Sequence, residues 1–296
     1  MKTVGQSVFC RRALLTTGAG LLLATWGAVA AGQEAASPWP WRPAGQPRAS
    51  DLVGTIPPPA GFSRSAAVPG SFAAWLRGLP LKPAKSPVLL HDGTPKRDQS
   101  VHAAVIDIDV GSQDLQQCAD AVIRLRAEYL FSQNRIPEIC FNFTSGDAAA
   151  YSQWRAGFRP AITGRRVSWA RTAAADASYK GFRAYLRNVF TYAGSQSLSR
   201  ELAAVKEPAQ MAIGDVFIRG GSPGHAVLVV DMAEKPATGE KVFLLAQSYM
   251  PAQDIHVLKN PRGAPLSPWY PVRFGDTLRT PEWEFKSTEL KRFKRE

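Results

Sequence analysis

GDVFIRGGSPGHAVLVVDM, residues 214–232, carries one short apolar run through a glycine-rich turn into a second. DVFI and AVLVVDM read as strands, and RGGSPG between them reads as a hairpin connection. VFLLAQSYM and DIHVL follow, set apart by EKPATGE and MPAQ. Four strands in succession with short polar turns predict an antiparallel β-meander. His225 is the first residue after the first turn, at the mouth of a strand otherwise built of Ala, Val and Leu. An imidazole there either caps the strand or serves as a base for a nucleophile elsewhere in the chain.

Antiparallel pairing indicates what His225 meets. A loop centred on residues 234–240 sets His225 opposite Gln247 or Ser248, and a turn centred on MPAQ sets Gln247 opposite His256. Buried polar groups need partners, so His225, Gln247 and His256 are expected on one face of the sheet.

Helical patterns dominate the part of the chain before the meander. In SQDLQQCADAVIRLRAEYLFSQ, residues 112–133, the positions Leu115, Cys118, Val122, Leu125 and Tyr129 recur at helical spacing, with Ser112 as the expected N-cap. Cys118 then faces inward from the second turn. DAAAYSQWRAG, SYKGFRAYLRNVFTYAG and SLSRELAAV read as further helices, with Tyr151, Trp154 and Phe158 taken as core. EICFNFTSG reads as a strand, as does AAVIDIDVG, in which Val105, Ile106 and Ile108 are buried and Asp107 and Asp109 alternate out. Helices first and sheet second predict an α+β domain rather than alternating βαβ units.

A thiol becomes a useful nucleophile when a base takes its proton and a third group fixes the tautomer of that base. Cys118 is the candidate nucleophile, His225 the base and then the acid toward a leaving amine, and Gln247 or His256 the orienting group. Gln116 and Gln117 are poorly directed to serve as oxyanion donors, since neighbours on a helix point about 100° apart. Two other readings compete. Cys118 packs in the core or forms a disulfide with Cys140, leaving a binding or scaffold domain of the cell envelope. Alternatively Asp107, Asp109 and His102 hold a metal, although their spacing matches no established metal motif. No cofactor and no metal are expected on the preferred reading.

The chain has 296 residues and a formal net charge of +12. Arg11 and Arg12 precede the apolar stretch ALLTTGAGLLLATWGAVAA, and Ala28-Val29-Ala30 offers a cleavage site, so residues 1–30 read as an export signal peptide. The arginine pair resembles a twin-arginine signal, with the general secretory route as the alternative. Removing Lys2, Arg11 and Arg12 with no acid lowers the charge to +9. A basic exported protein is drawn to anionic polymers such as those of the cell wall. No basic run with interleaved aromatics points to nucleic acid. Residues 31–62, rich in Pro and Ala, read as a tether, and residues 63–296 as a single α+β domain with no transmembrane segment. In SPWYPVRFGDTLRTPEWEF, Trp269, Tyr270 and Trp283 either close the core or line a groove, and KSTELKRFKRE is expected to stay solvated.

A helix-borne cysteine followed by GDVF and then GHAVLVV resembles the papain-like cell-wall hydrolases of the NlpC/P60 and CHAP type, through Gly214, Asp215 and His225. At the nucleophile those families show Asp-Cys-Ser/Thr-Gly, where this chain has Gln116-Gln117-Cys118-Ala119-Asp120. The resemblance implies a papain-like arrangement and an exported cysteine peptidase or amidase acting on peptidoglycan peptides. Across nearly the whole mature length, SFAAWLRGLPLKP, DLQQCADAVIRLRAEYL, FTSGD, GDVFIRGGSPGHAVLVVDMA and AQSYMPAQDIHVLKNP also resemble an uncharacterised family of secreted bacterial proteins, a domain of unknown function.

Overall fold

Apolar runs in the second half of the chain pair into one antiparallel sheet, and helices from the first half pack on it. The computed structural model describes residues 39–42, 50–164, 166–263 and 265–294. The expected signal peptide and residues 31–38 and 43–49 of the expected tether lie outside the described residues. In chain order the elements are α1 (Leu52–Thr55), β1 (Ser63–Arg64), α2 (Phe72–Arg77), β2 (His102–Val105), α3 (Cys118–Ser132), β3 (Cys140–Asn142), β4 (Ala148–Ala150), α4 (Tyr151–Arg155), β5 (Phe158–Thr163) and β6 (Arg166–Arg171). Then come α5 (Tyr179–Tyr192), α6 (Ser195–Glu201), β7 (Ala203–Ala204), β8 (Val216–Arg219), β9 (His225–Lys235), β10 (Glu240–Gln247), β11 (His256–Leu258), β12 (Tyr270–Pro271), β13 (Thr277–Arg279), β14 (Glu284–Lys286) and β15 (Leu290–Arg292).

The meander forms as β8 to β11, and the whole sheet runs β2-β11-β10-β9-β8-β15-β7. The long β9 and β10 are its spine. Each outlasts one neighbour, and β1 covers the remainder of β9 while β12 covers the remainder of β10. The turn into β9 requires glycine, because a Cβ on Gly224 would run into Ser195 Oγ and the Gly221 carbonyl. Mixed helices and antiparallel sheets make the protein α+β, as expected.

The helix α3 is buried more completely than its apolar spacing predicts. Every residue from Ala119 to Leu130 is buried, Asp120, Arg124, Arg126 and Glu128 included. Such a helix must satisfy its polar side chains inside the protein. Arg124 donates to Glu128 at 2.6 Å, to Gln116 Oε1 at 2.8 Å and to the Asp109 carbonyl at 3.2 Å. Tyr179 from α5 donates to the same Glu128 oxygen at 2.7 Å. Burial raises the Glu128 carboxyl above its ordinary value, and the Arg124 guanidinium opposes that shift.

Both ends of the described body depart from the sequence reading. Within the stretch read as a tether, Leu52 and Ile56 are buried and Pro57 accepts the indole N–H of Trp269 at 2.9 Å. At the other end, the part of KSTELKRFKRE from Leu290 to Arg292 does not stay solvated. Leu290 is fully buried, β15 sits between β8 and β7, and Arg292 grips the buried Asp215 through two bonds of 2.6 and 2.8 Å. Periodicity misses this strand because its single apolar anchor stands among charges whose partners lie far away in sequence.

Leu290 locks the last strand into the sheet, so Leu290→Ala is expected to cost about 2–4 kcal/mol of stability. Urea denaturation measures this directly. A cost below about 0.5 kcal/mol, the range of ordinary surface changes, would contradict the placement of β15.

Candidate functional site

Cys118 opens α3 and does not sit in its second turn. The N-cap is Gln117, and residues 111–117 form no helix, so Ser112 does not cap. The reason lies in Asp114, whose carboxylate accepts from the Ala252 backbone at 2.7 Å and from Gln117 Nε2 at 3.0 Å, holding the preceding loop against the sheet. Amides at the first positions of a helix have no intrahelical acceptor. Those of Cys118 and Ala119 approach the Cys118 sulfur, as does the Ala226 amide from β9. The thiol is free, so the alternative disulfide with Cys140 is not formed. Burial pushes the thiol up to about 11; the Ala226 amide works against that shift and the Asp120 carboxylate adds to it.

The Ala226 contact brings Cys118 beside His225. Tyr249, whose ring centroid lies 4.8 Å from that of His225, also senses the Cys118 charge. The thiol thus meets the amide of the residue after His225, and Tyr249 lies against the His225 ring and within electrostatic reach of Cys118.

A β-bulge decides which residue the imidazole meets. Leu244 pairs with Asp231 but Leu245 pairs with Val229, so Val230 is skipped. The shifted register ends with Ala246 opposite Leu228, which puts Gln247 on the sheet face of His225. Unshifted pairing would put Ser248 there. Instead Ser248 Oγ reaches the carbonyls of Gln116 at 3.0 Å and Gln253 at 2.8 Å, tying the loop before α3 to the sheet. The pairing of Gln247 with His256 across β10 and β11 is the expected one.

One arrangement of protons fits all the contacts. His256 Nδ1 lies 2.8 Å from the Asp254 carbonyl, which only accepts, so Nδ1 carries the hydrogen. Gln247 Nε2 then donates to Glu282 at 2.7 Å and toward His256 Nε2 at 3.4 Å. Its Oε1 faces His225 Nε2 at 2.8 Å. Reversing the amide would press its carbonyl against the Glu282 carboxylate. His225 therefore donates through Nε2 and keeps the lone pair of Nδ1. Such an imidazole can take up a proton from a neighbouring thiol.

Lys96 completes the relay by bonding Glu282 at 2.5 Å. Trp283 and Phe285 lie 5.3 and 5.8 Å from the His225 ring and, with Tyr249, exclude water from it. Burial lowers His225 to about 4, with Lys96 acting in the same direction and the Gln247 bond opposing. Burial likewise lowers His256 to about 3, against the pull of the Asp254 carbonyl. Sequence patterns miss Lys96 and Glu282, which come from loops without periodicity; the signal nearest Glu282 is the aromatic Trp283, two residues after Pro281.

All the residues that carry this geometry lie inside one family match, which runs over residues 52–292. The chain belongs to the family described as Domain of unknown function (4846). No curated protein and no solved structure matches it. The family segment begins at the first residue of α1 and ends at the last residue of β15, so it includes the Asp215–Arg292 closure. In this family member Asp107 and Asp109 meet arginines: Asp107 pairs with Arg42 at 3.4 Å, and Asp109 with Arg183 at 2.6 Å and Arg124 at 3.2 Å. His102 bonds the Ser86 carbonyl at 3.1 Å. Among the described residues no group of His, Cys, Asp or Glu could hold a metal ion, and no helix is long and apolar enough to cross a membrane.

The low value for His256 has a measurable consequence. Its folded value lies below its unfolded value near 6.5, so its neutral form contributes stability that is complete above pH 6.5 and is lost as pH falls toward 3. Glu201, raised by burial to about 7, acts in the opposite sense, so one variant must be compared with the wild type at each pH. The stability cost of His256→Asn is expected to shrink by on the order of 3 kcal/mol between pH 7.5 and 4. A cost independent of pH would show that His256 is not held neutral by burial.

Proposed function

We propose that the protein is an exported cysteine hydrolase, a peptidase or amidase acting on peptidoglycan peptides, with a papain-like arrangement of its site. One observation carries this reading: a free thiol at the start of α3 meets the amide of Ala226, the residue after His225, whose Nε2 is bonded to Gln247. The chain order of cysteine, histidine and polar residue is that of the NlpC/P60 and CHAP hydrolases it resembles. The basic balance of the chain supports an anionic envelope polymer as substrate or support.

In the proposed reaction His225 Nδ1 takes the Cys118 proton as sulfur attacks the carbonyl carbon of an amide. His225 returns that proton to the departing nitrogen, leaving a thioester. Water, deprotonated by His225 Nδ1, then attacks the thioester carbon; the C–S bond breaks to release a carboxylic acid, and the proton on His225 returns to the sulfur. The Cys118 and Ala119 amides, which have no acceptor within the helix, are suited to the developing oxyanion. Gln247 is a positioning residue for His225, and His256 and Glu282 hold Gln247.

Magnitudes decide the resting state. Moving the proton from a thiol near 11 to an imidazole near 4 costs roughly 10 kcal/mol. An ion pair about 4 Å apart recovers about 4 kcal/mol at a protein-like dielectric. Thiol and imidazole therefore rest neutral, and proton transfer waits for bound substrate. Iodoacetamide labelling of Cys118 is expected to climb steadily above pH 8.5, where an ordinary thiol levels off. A plateau of reactivity near pH 6 would reveal a preformed thiolate and overturn this account of the resting state.

The raised thiol also favours the competing reading, a non-catalytic envelope-binding domain, and turnover separates the two. Purified peptidoglycan is incubated with wild-type protein, Cys118→Ala and His225→Ala, and released peptides are measured alongside the denaturation midpoint of each variant. The hydrolase reading predicts release by the wild type and a loss of at least about a thousandfold in either folded variant. Wall binding without release points to the binding domain, and release that survives Cys118→Ala contradicts the role of Cys118 as nucleophile.

A further inference from the structure

A second concave site lies between the loop before α3 and one face of α5. It is a cavity of about 450 Å3 whose lining includes Leu115 and Gln116 but not Cys118. Lys180, Arg183 and Arg187 line it from α5 at the spacing that puts helical side chains on one face. Arg183 is committed to Asp109 at 2.6 Å. Lys180 and Arg187 form no ion pair among the described residues, and both are exposed. Three cations thus face one carboxylate, which is already shared between two arginines.

One lining residue also carries a buried donor without a partner. Gln116 is 1% exposed; its Oε1 accepts from Arg124 at 2.8 Å, while its Nε2 has no hydrogen-bond partner. The Arg124 bond fixes the amide, since guanidinium only donates and must face the oxygen. A buried N–H left unpaired is a defect that a ligand acceptor would repair. Trp41, Leu115 and Phe190 supply apolar lining. The Trp41 ring is held in place by its N–H bond to the Asp107 carbonyl at 2.7 Å.

We propose that this cavity binds a small carboxylate with an apolar body. The carboxylate accepts from Gln116 Nε2 and is neutralised by Arg187 and Lys180, while the apolar part lies on Trp41 and Phe190. Carboxylate fits better than phosphate because Asp109 stands at the same site, where its charge opposes a dianion, and because the wall offers contact that a phosphate cannot use. The site is separate from Cys118 and does not depend on the hydrolase reading.

Isothermal titration of the full chain with N-acetylphenylalanine, N-acetylphenylalaninamide and inorganic phosphate tests it. Saturable binding of the acid is expected, with the amide weaker by at least about tenfold because it lacks the charge-assisted bonds, and phosphate weaker than the acid. Arg187→Gln, a change at an exposed position that leaves folding intact, should weaken the acid by about tenfold and leave the amide unchanged. Cys118→Ala should leave the acid's affinity as it was. Lack of saturation by the acid, equal affinity for acid and amide, phosphate binding as tight as the acid, or an unchanged affinity in Arg187→Gln would each overturn the proposal.

Discussion

A single skipped residue in β9 governs the site. The bulge at Val230 shifts the β9–β10 register by one, and in a strand a shift of one exchanges the two faces. Two consequences follow at the end of β10. Gln247 turns toward His225 and accepts its Nε2 hydrogen, and Ser248 turns toward the loop before α3 and bonds the Gln116 carbonyl. The first fixes the imidazole and the second fixes the entry to the helix that carries Cys118. Thiol and imidazole come from segments more than 100 residues apart, and both take their positions from the same two-residue strand end.

Burial gives this arrangement its chemistry and its cost. Tyr249, Trp283 and Phe285 strip water from His225, which keeps the ring neutral, and the same desolvation keeps the thiol protonated. Neutral partners can be buried without an ionic penalty, whereas a resting ion pair would have to overcome one. Elsewhere α3 solves the same problem differently. There Arg124 and Glu128 pair with both side chains fully buried, Arg124 also donating to Gln116 and Asp109, and Tyr179 donating to the Glu128 oxygen that Arg124 holds.

The meander was legible in the sequence because its apolar runs are separated by turn signals, and centring one turn on MPAQ was enough to pair Gln247 with His256. The bulge was not legible, since nothing in LVVDM marks Val230 as the residue to skip; the choice between Gln247 and Ser248 therefore stayed open. Ser112 has the chemistry of an N-cap, yet α3 starts six residues later because Asp114 is drawn to Ala252, a partner 138 residues away. That late start moves Cys118 from a turn where its amide would be bonded to the one place on the helix where it is not. The terminal strand β15 was hidden for a related reason: Asp215 and Ser199, which hold Arg292 and Lys291, are distant in sequence.

The account turns on which nitrogen of His225 carries the hydrogen. Long-range proton–nitrogen correlation spectra of the imidazole rings, assigned with a His225→Gln variant, read this directly. The account predicts a neutral His225 ring at pH 7 with hydrogen on Nε2 and an unprotonated Nδ1. A ring protonated on Nδ1 at that pH, either as the other tautomer or as imidazolium, would contradict it.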